Sequence, residues 1–83
     1  MPIEFDPAKD AANLAKHGIS LRRALDIVAF EEDRRFAYGE TRYRAFGLLD
    51  RAPYCLVFTL RGPIMRVVSL RRAHRREFLR RAP

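Results

Sequence analysis

The chain has 83 residues, with 17 lysines and arginines against 10 aspartates and glutamates, for a formal net charge of +7. That length sets a single domain over 1–83, whose core must be one layer of helix packed on sheet. Cys55 is the lone cysteine, which excludes an intramolecular disulfide and a cysteine-built metal site, and no apolar run is long enough for a bilayer-spanning helix.

The positive surplus is almost all arginine, with lysine only at Lys9 and Lys16. Arginine presents a planar fork that grips phosphate oxygens in pairs, which a lysine point charge cannot do. The composition therefore points first to a nucleic-acid partner and second to an acidic protein segment. No secretory signal opens the chain, and the buried-type setting of Cys55 in an apolar run suits a reducing cytoplasm.

In chain order, Ile3–Glu4–Phe5 alternates as a short strand. Asp6 and Pro7 then begin a helix, as N-cap and first helical residue, and Gly18 ends it. Lys16 and His17 fall in its last turn, where positive charge suits the helix dipole. Ser20 caps a second helix: Leu21, Ala24, Leu25 and Val28 repeat at helical spacing, which predicts an amphipathic helix ending near 30–32 with Arg22 and Arg23 outward. Residues 33–38 are either a short strand or an irregular crossing, broken by Gly39. Residues 41–49 read as a strand, and 50–53 as a turn.

The organising stretch is 54–72, two β-rich runs around Gly62 and Pro63 that predict an antiparallel hairpin. Pairing across that turn puts Leu56, Phe58, Leu60, Met65 and Val67 on one face. Val57, Thr59, Arg61, Arg66 and Val68 take the other. The tail RRAHRREFLRRAP is helix-capable and polar nearly all round, with Phe78 and Leu79 as its apolar anchors. The expected class is α+β: two N-terminal helices on a small antiparallel sheet, with a basic C-terminal helix.

Three groups could carry chemistry. His17 is the natural proton carrier near neutral pH, although a histidine there is also an ordinary helix C-terminal cation. Glu40, just after Gly39, is suited to act as a general base among cations, or to pair structurally with Arg42. Arg61, Arg66, Arg71 and Arg72 can stabilise charge on a phosphorane. Metal-free RNA cleavage needs such cations, a base for the 2′-hydroxyl and an acid for the leaving 5′-oxygen. A face that binds RNA without cutting uses identical residues. There is no glycine-rich phosphate loop and no Cys/His cluster of metal-ligand spacing, so neither cofactor nor metal is expected. His74 reads as a contact residue, and Ser69 as a cap or phosphate hydrogen-bond donor. Direct DNA reading by the tail lacks support, since it has no Asn or Gln to read bases.

The order FDPAKDAANLAKHGIS, GETRYRAFG, VFTLRG and MRVVSLRRAHRRE resembles the BrnT group of bacterial type II toxins, over about residues 4–77. Four pieces in register are specific where each alone is weak. The resemblance implies a RelE-like fold and metal-independent endoribonuclease activity that arrests translation. It also implies a cognate ribbon-helix-helix antitoxin, through which operator DNA would be contacted, and no membrane association. Matched piece by piece, it marks Lys16 and His17, Glu40 and Arg42, Thr59 and Arg61, and Ser69, Arg71 and Arg72. Of these and the hairpin residue Arg66, His17, Glu40, Arg61 and Arg71 are the catalytic candidates. Lys16, Arg42, Thr59, Arg66, Ser69 and Arg72 are the RNA-binding ones. The chain departs from the family in having Phe5 for the usual Trp, Arg22 and Arg23 where acidic residues usually follow the cap, and Pro63 in the turn. The competing reading is a non-catalytic nucleic-acid or antitoxin binding module.

Overall fold

The computed structural model describes residues 2–37 and 39–81. The elements run β1 (Ile3–Glu4), α1 (Pro7–His17), a 3-10 helix (Leu21–Asp26), β2 (Val28–Ala37), β3 (Glu40–Leu49), β4 (Ala52–Arg61), β5 (Ile64–Arg72) and α2 (Arg75–Arg81). The strands form one sheet in the order β1-β5-β4-β3-β2. The α+β class is as expected, but the sheet is not wholly antiparallel, because β1 pairs parallel with β5. The N–H of Met65 donates to the Pro2 carbonyl at 3.1 Å, beginning that parallel edge.

Helix α1 follows its sequence signals closely. The Asp6 carboxylate accepts the Ala8 N–H at 2.8 Å, and Gly18 at φ 72° returns its N–H to the Leu14 carbonyl at 2.9 Å. The next element corrects the sequence reading. It is a six-residue 3-10 helix, not an α-helix reaching 30–32, and the chain is extended from Val28 onward. The reason is the period. A 3-10 helix repeats every three residues, so Leu21 and Ala24 are buried and Ile27 packs on the core, while Leu25 and Val28 are 58% and 71% exposed. Its start is capped twice, by Ser20 Oγ from Arg22 N–H and by Asp10, whose Oδ1 accepts the Leu21 N–H at 2.7 Å and the Ser20 hydroxyl at 2.9 Å. Arg23 does not simply point outward against the dipole. It bridges Asp26 and Asp50, tying this helix to the β3–β4 turn.

The ambiguous segment 33–38 is settled as strand through Ala37; Tyr38 lies outside the described residues. The β3–β4 turn holds Asp50 and Arg51 at φ 51° and 67°, the doubly left-handed pattern of a two-residue hairpin. In the β4–β5 turn, Gly62 at φ 58° precedes a proline whose ring fixes a negative φ, the other favoured hairpin geometry.

The buried cluster of Leu21, Ala24, Ala45, Leu49, Leu56, Phe58, Val67 and Leu70 lies between the sheet and the two N-terminal helices. Asn13 locks α1 to the sheet beyond the end of β1. Its amide donates to the Leu70 and Ile19 carbonyls at 2.8 and 2.9 Å and accepts the Leu70 N–H at 3.2 Å. A side-chain amide here does the work of an edge strand.

Gly47 marks the tightest packing. A Cβ there would stand 2.3 Å from the Val28 carbonyl oxygen and 2.7 Å from the Ala29 Cα, beside the bulge between Ala29 and Glu31. Gly47→Ala must push β2 off the sheet. It is expected to cost about 3 kcal/mol, a fall in Tm of roughly 10–20 °C by thermal denaturation.

Candidate nucleic-acid interface

Residues directly opposite in paired strands share a face, so the register assigns the sheet surface away from the core. One row runs Thr59, Arg66 and Glu4 across β4, β5 and β1, and continuing the β3–β4 register brings Arg42 level with Thr59. The next row holds Arg44, Val57 and Ser69, and the third Phe46, Cys55 and Arg71. Glu40 and Arg61 stand at the rim. Arg42, Arg44, Arg61, Arg66 and Arg71 thus converge on one face from three strands.

The floor of this face is dry. Phe46, Cys55 and Thr59 are buried, which makes Cys55 a packing residue, in keeping with its apolar run. The Arg44 guanidinium lies 5.5 Å from the centre of the Phe46 ring, a cation–π contact that holds it over the floor. The hairpin faces agree with the sequence reading except at Val68. A bulge pairs Val57 with Ser69 and Phe58 with Val67, so Val68 is the extra residue.

Carboxylates are interleaved with the arginines. Arg42 Nε is 3.4 Å from Glu40 Oε2, the pairing that stands as the alternative to a catalytic Glu40. Glu4 Oε1 lies 3.3 Å from Arg66 and 4.0 Å from Arg61. Arg71 donates to Glu77 at 2.7 and 3.4 Å and to the Arg72 carbonyl at 3.1 Å. Glu77 Oε1 also accepts the His74 N–H at 2.7 Å, the N3-to-N-cap half of a capping box at the start of α2. One carboxylate therefore starts the terminal helix and fastens it to the sheet. Leu79, expected as an anchor, is 61% exposed; Phe78 is half-buried.

The hydrogen bonds from Arg71 hold the Glu77 carboxyl below its usual range; partial burial opposes this, and the His74 N–H adds to it. Folded Glu77 stays ionised to lower pH than unfolded Glu77. Its contribution is therefore complete above the ordinary glutamate pKa of about 4.3 and is lost as pH falls through the lowered value. Acidification is expected to release α2 before the sheet melts. In Glu77→Gln the helix should be loosened at neutral pH already, with the acid step absent, as read by amide hydrogen exchange over 75–81.

Three expected site residues, Lys16, His17 and Arg72, lie elsewhere. Lys16 and His17, with Lys9, Ala12 and Asn13, line a cleft of about 290 Å³ between α1 and β5, closed by Val68 and Ser69. Ser69 belongs to this cleft and, by register, to the arginine rows. Arg72 is opposite Tyr54 on the other face from Arg71, its guanidinium 5.6 Å from the ring centre. Sequence reasoning missed Glu4, Arg44 and Glu77. Arg44 was detectable as the i+2 neighbour of Arg42 in a strand. Glu4 was not, because its place depends on the parallel β1–β5 pairing.

Among the described residues, no three His, Cys, Asp or Glu side chains gather as a metal site, and no helix is long and apolar enough to cross a membrane. No curated protein matches the chain. The 1.1 Å crystal structure of the Brucella abortus ribonuclease toxin BrnT superposes with a TM-score of 0.65, covering 90% of this chain and 99% of that one at 23% identity, which shows a shared fold. The family described as the ribonuclease toxin, BrnT, of type II toxin–antitoxin systems matches residues 5–77. With nearly the whole chain inside that match, the protein belongs to the BrnT toxin family.

Proposed function

We propose that this chain is a metal-independent endoribonuclease that arrests translation by cutting RNA on the arginine face of its sheet. The observation that carries this reading is the convergence of Arg42, Arg44, Arg61, Arg66 and Arg71 on one surface over a dry floor. Forks aimed at a phosphate from three strands supply what a phosphorane needs, and the buried floor strengthens their pull.

In this reading Arg61 and Arg66 hold the scissile phosphate, and Arg42 and Arg44 hold a neighbouring one. Glu40, at the rim beside Arg42, takes the 2′-hydroxyl proton. The 2′-oxygen attacks phosphorus, the bond from phosphorus to the 5′-oxygen breaks as that oxygen takes a proton from water, and a 2′,3′-cyclic phosphate remains. Ser69 offers a hydroxyl along the same rows, while Thr59 is buried in the floor and supports the row of Arg42 and Arg66. Arg71, engaged with Glu77, positions α2 as the end wall and borders the RNA. Lys16 and His17 guide the strand past the β5 edge, and Arg72 contacts it from the far side. The whole of 1–83 acts as one RelE-like domain in the cytoplasm. A neighbouring gene encodes its ribbon-helix-helix antitoxin, and that complex alone meets operator DNA.

The test is cleavage of a long RNA by the purified chain in EDTA, with the antitoxin added back in a second arm. Cutting that survives chelation and stops with antitoxin supports the proposal. RNA binding without cutting, in buffers with and without magnesium, would replace it with the binding-module reading.

A further inference from the structure

Strand β2 is the outer edge of the sheet, so one whole side of its backbone has no partner strand among the described residues. At ten residues it is long for an edge, it contains no proline, and its only register shift lies between Ala29 and Glu31. Proteins usually spoil such edges with a proline, a bulge or a like-charged run, because an open ladder templates another strand. From Glu31 on this edge has no proline and no bulge, and its charged run, Glu31–Glu32–Asp33 followed by Arg34–Arg35, is of both signs, so it repels a copy in one orientation and attracts it in the other. It also leaves Phe36 72% exposed, an uncommon place for a large aromatic.

The residues along this strand carry a symmetry. From Ala29 to Ala37 the order is Ala, Phe, Glu, Glu, Asp, Arg, Arg, Phe, Ala. Read backwards it is the same sequence with the sign of the flanking charges inverted about Asp33. A second copy laid antiparallel about a two-fold axis through Asp33 therefore sets Glu31 opposite Arg35 and Glu32 opposite Arg34. Each match occurs twice, for four opposite-charge positions. A parallel in-register pairing would set like charges together throughout, and sliding the antiparallel copy by two residues would spoil most of the matches.

We propose that β2 is a self-pairing edge, through which two copies of this chain join antiparallel about Asp33 into a continuous ten-stranded sheet. An unrelated extended partner would need only open backbone and a matching charge order. A copy of the same strand supplies that order by itself, and a two-fold interface requires such self-complementarity. The pairing leaves β5, α1 and α2, at the other end of the strand order, uncovered. It stands apart from the ribonuclease reading.

The experiment is sedimentation velocity on the purified full chain over a concentration series, with folding of every variant checked by circular dichroism. Wild type is expected to dimerise. Glu31→Arg with Glu32→Arg makes the edge positive on both sides of Asp33, and Arg34→Glu with Arg35→Glu makes it negative. Each double variant alone should dimerise at least about tenfold more weakly. Mixed in equal amounts they should form a heterodimer, because each then meets its opposite. Asp33→Asn, which removes the one like-charge meeting on the axis, should tighten the dimer. A wild type that stays monomeric at every concentration reached would overturn the proposal, as would double variants that self-associate as well as wild type. So would hydrogen-exchange protection of 31–37 that appears only when antitoxin is added, since the edge would then belong to that protein.

Discussion

Arg66→Ala is expected to lower RNA cleavage in EDTA by on the order of 10²–10³-fold, and Arg61→Ala by a similar factor. Both residues project from the β4–β5 hairpin onto the arginine face, and both lie beside Glu4. Removing either takes away a cation aimed at developing charge, which affects kcat more than KM. Lysine at the same positions keeps the charge and loses the fork, so partial recovery would separate geometry from charge. Glu40→Gln should cost a comparable factor if Glu40 is the base. His17→Ala should raise KM and leave kcat nearly unchanged, because His17 lines the α1–β5 cleft and not the arginine rows. Equal loss of kcat in His17→Ala and Glu40→Gln would move the proton transfer toward that cleft. Retention of full activity by all four variants would remove the arginine face as the site. Each rate is to be compared on samples matched for folded fraction.

The second large effect concerns stability. Asn13→Ala is expected to cost about 3 kcal/mol, a fall in Tm of roughly 10–20 °C. The substitution deprives the Leu70 N–H, the Leu70 carbonyl and the Ile19 carbonyl of their partner in a buried setting. Asn13→Asp should be worse at neutral pH, since a carboxylate turns two donors into acceptors facing carbonyl oxygens and adds a buried charge. If both variants melt within a few degrees of wild type, water has replaced the amide and the joint is weaker than its geometry implies.

Much of the fold is legible where a residue type admits few conformations. Asp6, Pro7 and Gly18 bound α1, and Gly62 with Pro63 makes the central hairpin readable. The two faces of that hairpin follow from alternation, which by itself puts Arg61 and Arg66 on the same side. The failures have physical causes. Leu21, Ala24, Leu25 and Val28 fit a period of 3.6, but Leu21, Ala24 and Ile27 also fit a period of 3, and tertiary capping by Asp10 accompanies the second. Strand β2 is not readable by alternation, because five successive charged residues, 31–35, interrupt any apolar–polar period in its sequence. The bulge at Val68 moves one residue out of step, and no local signal announces it. Within the candidate site the arginines are visible by type and spacing. Of their carboxylate partners only Glu40, beside Arg42, is visible, since Glu4 and Glu77 arrive from the two ends of the chain.

Those partners change what binding an anion means here. A basic surface in water carries loosely associated small anions, and a polyanion displaces them into bulk solution with a gain in entropy that salt erodes. On this sheet Glu40, Glu4 and Glu77 already stand where such ions would gather. An arriving phosphate must swap places with a tethered carboxylate that cannot diffuse away. The entropic reward per contact shrinks accordingly, and the affinity for RNA should fall less steeply with ionic strength than a count of arginines implies. The same built-in anions offset the mutual repulsion of five guanidinium groups on one small surface of a chain of charge +7.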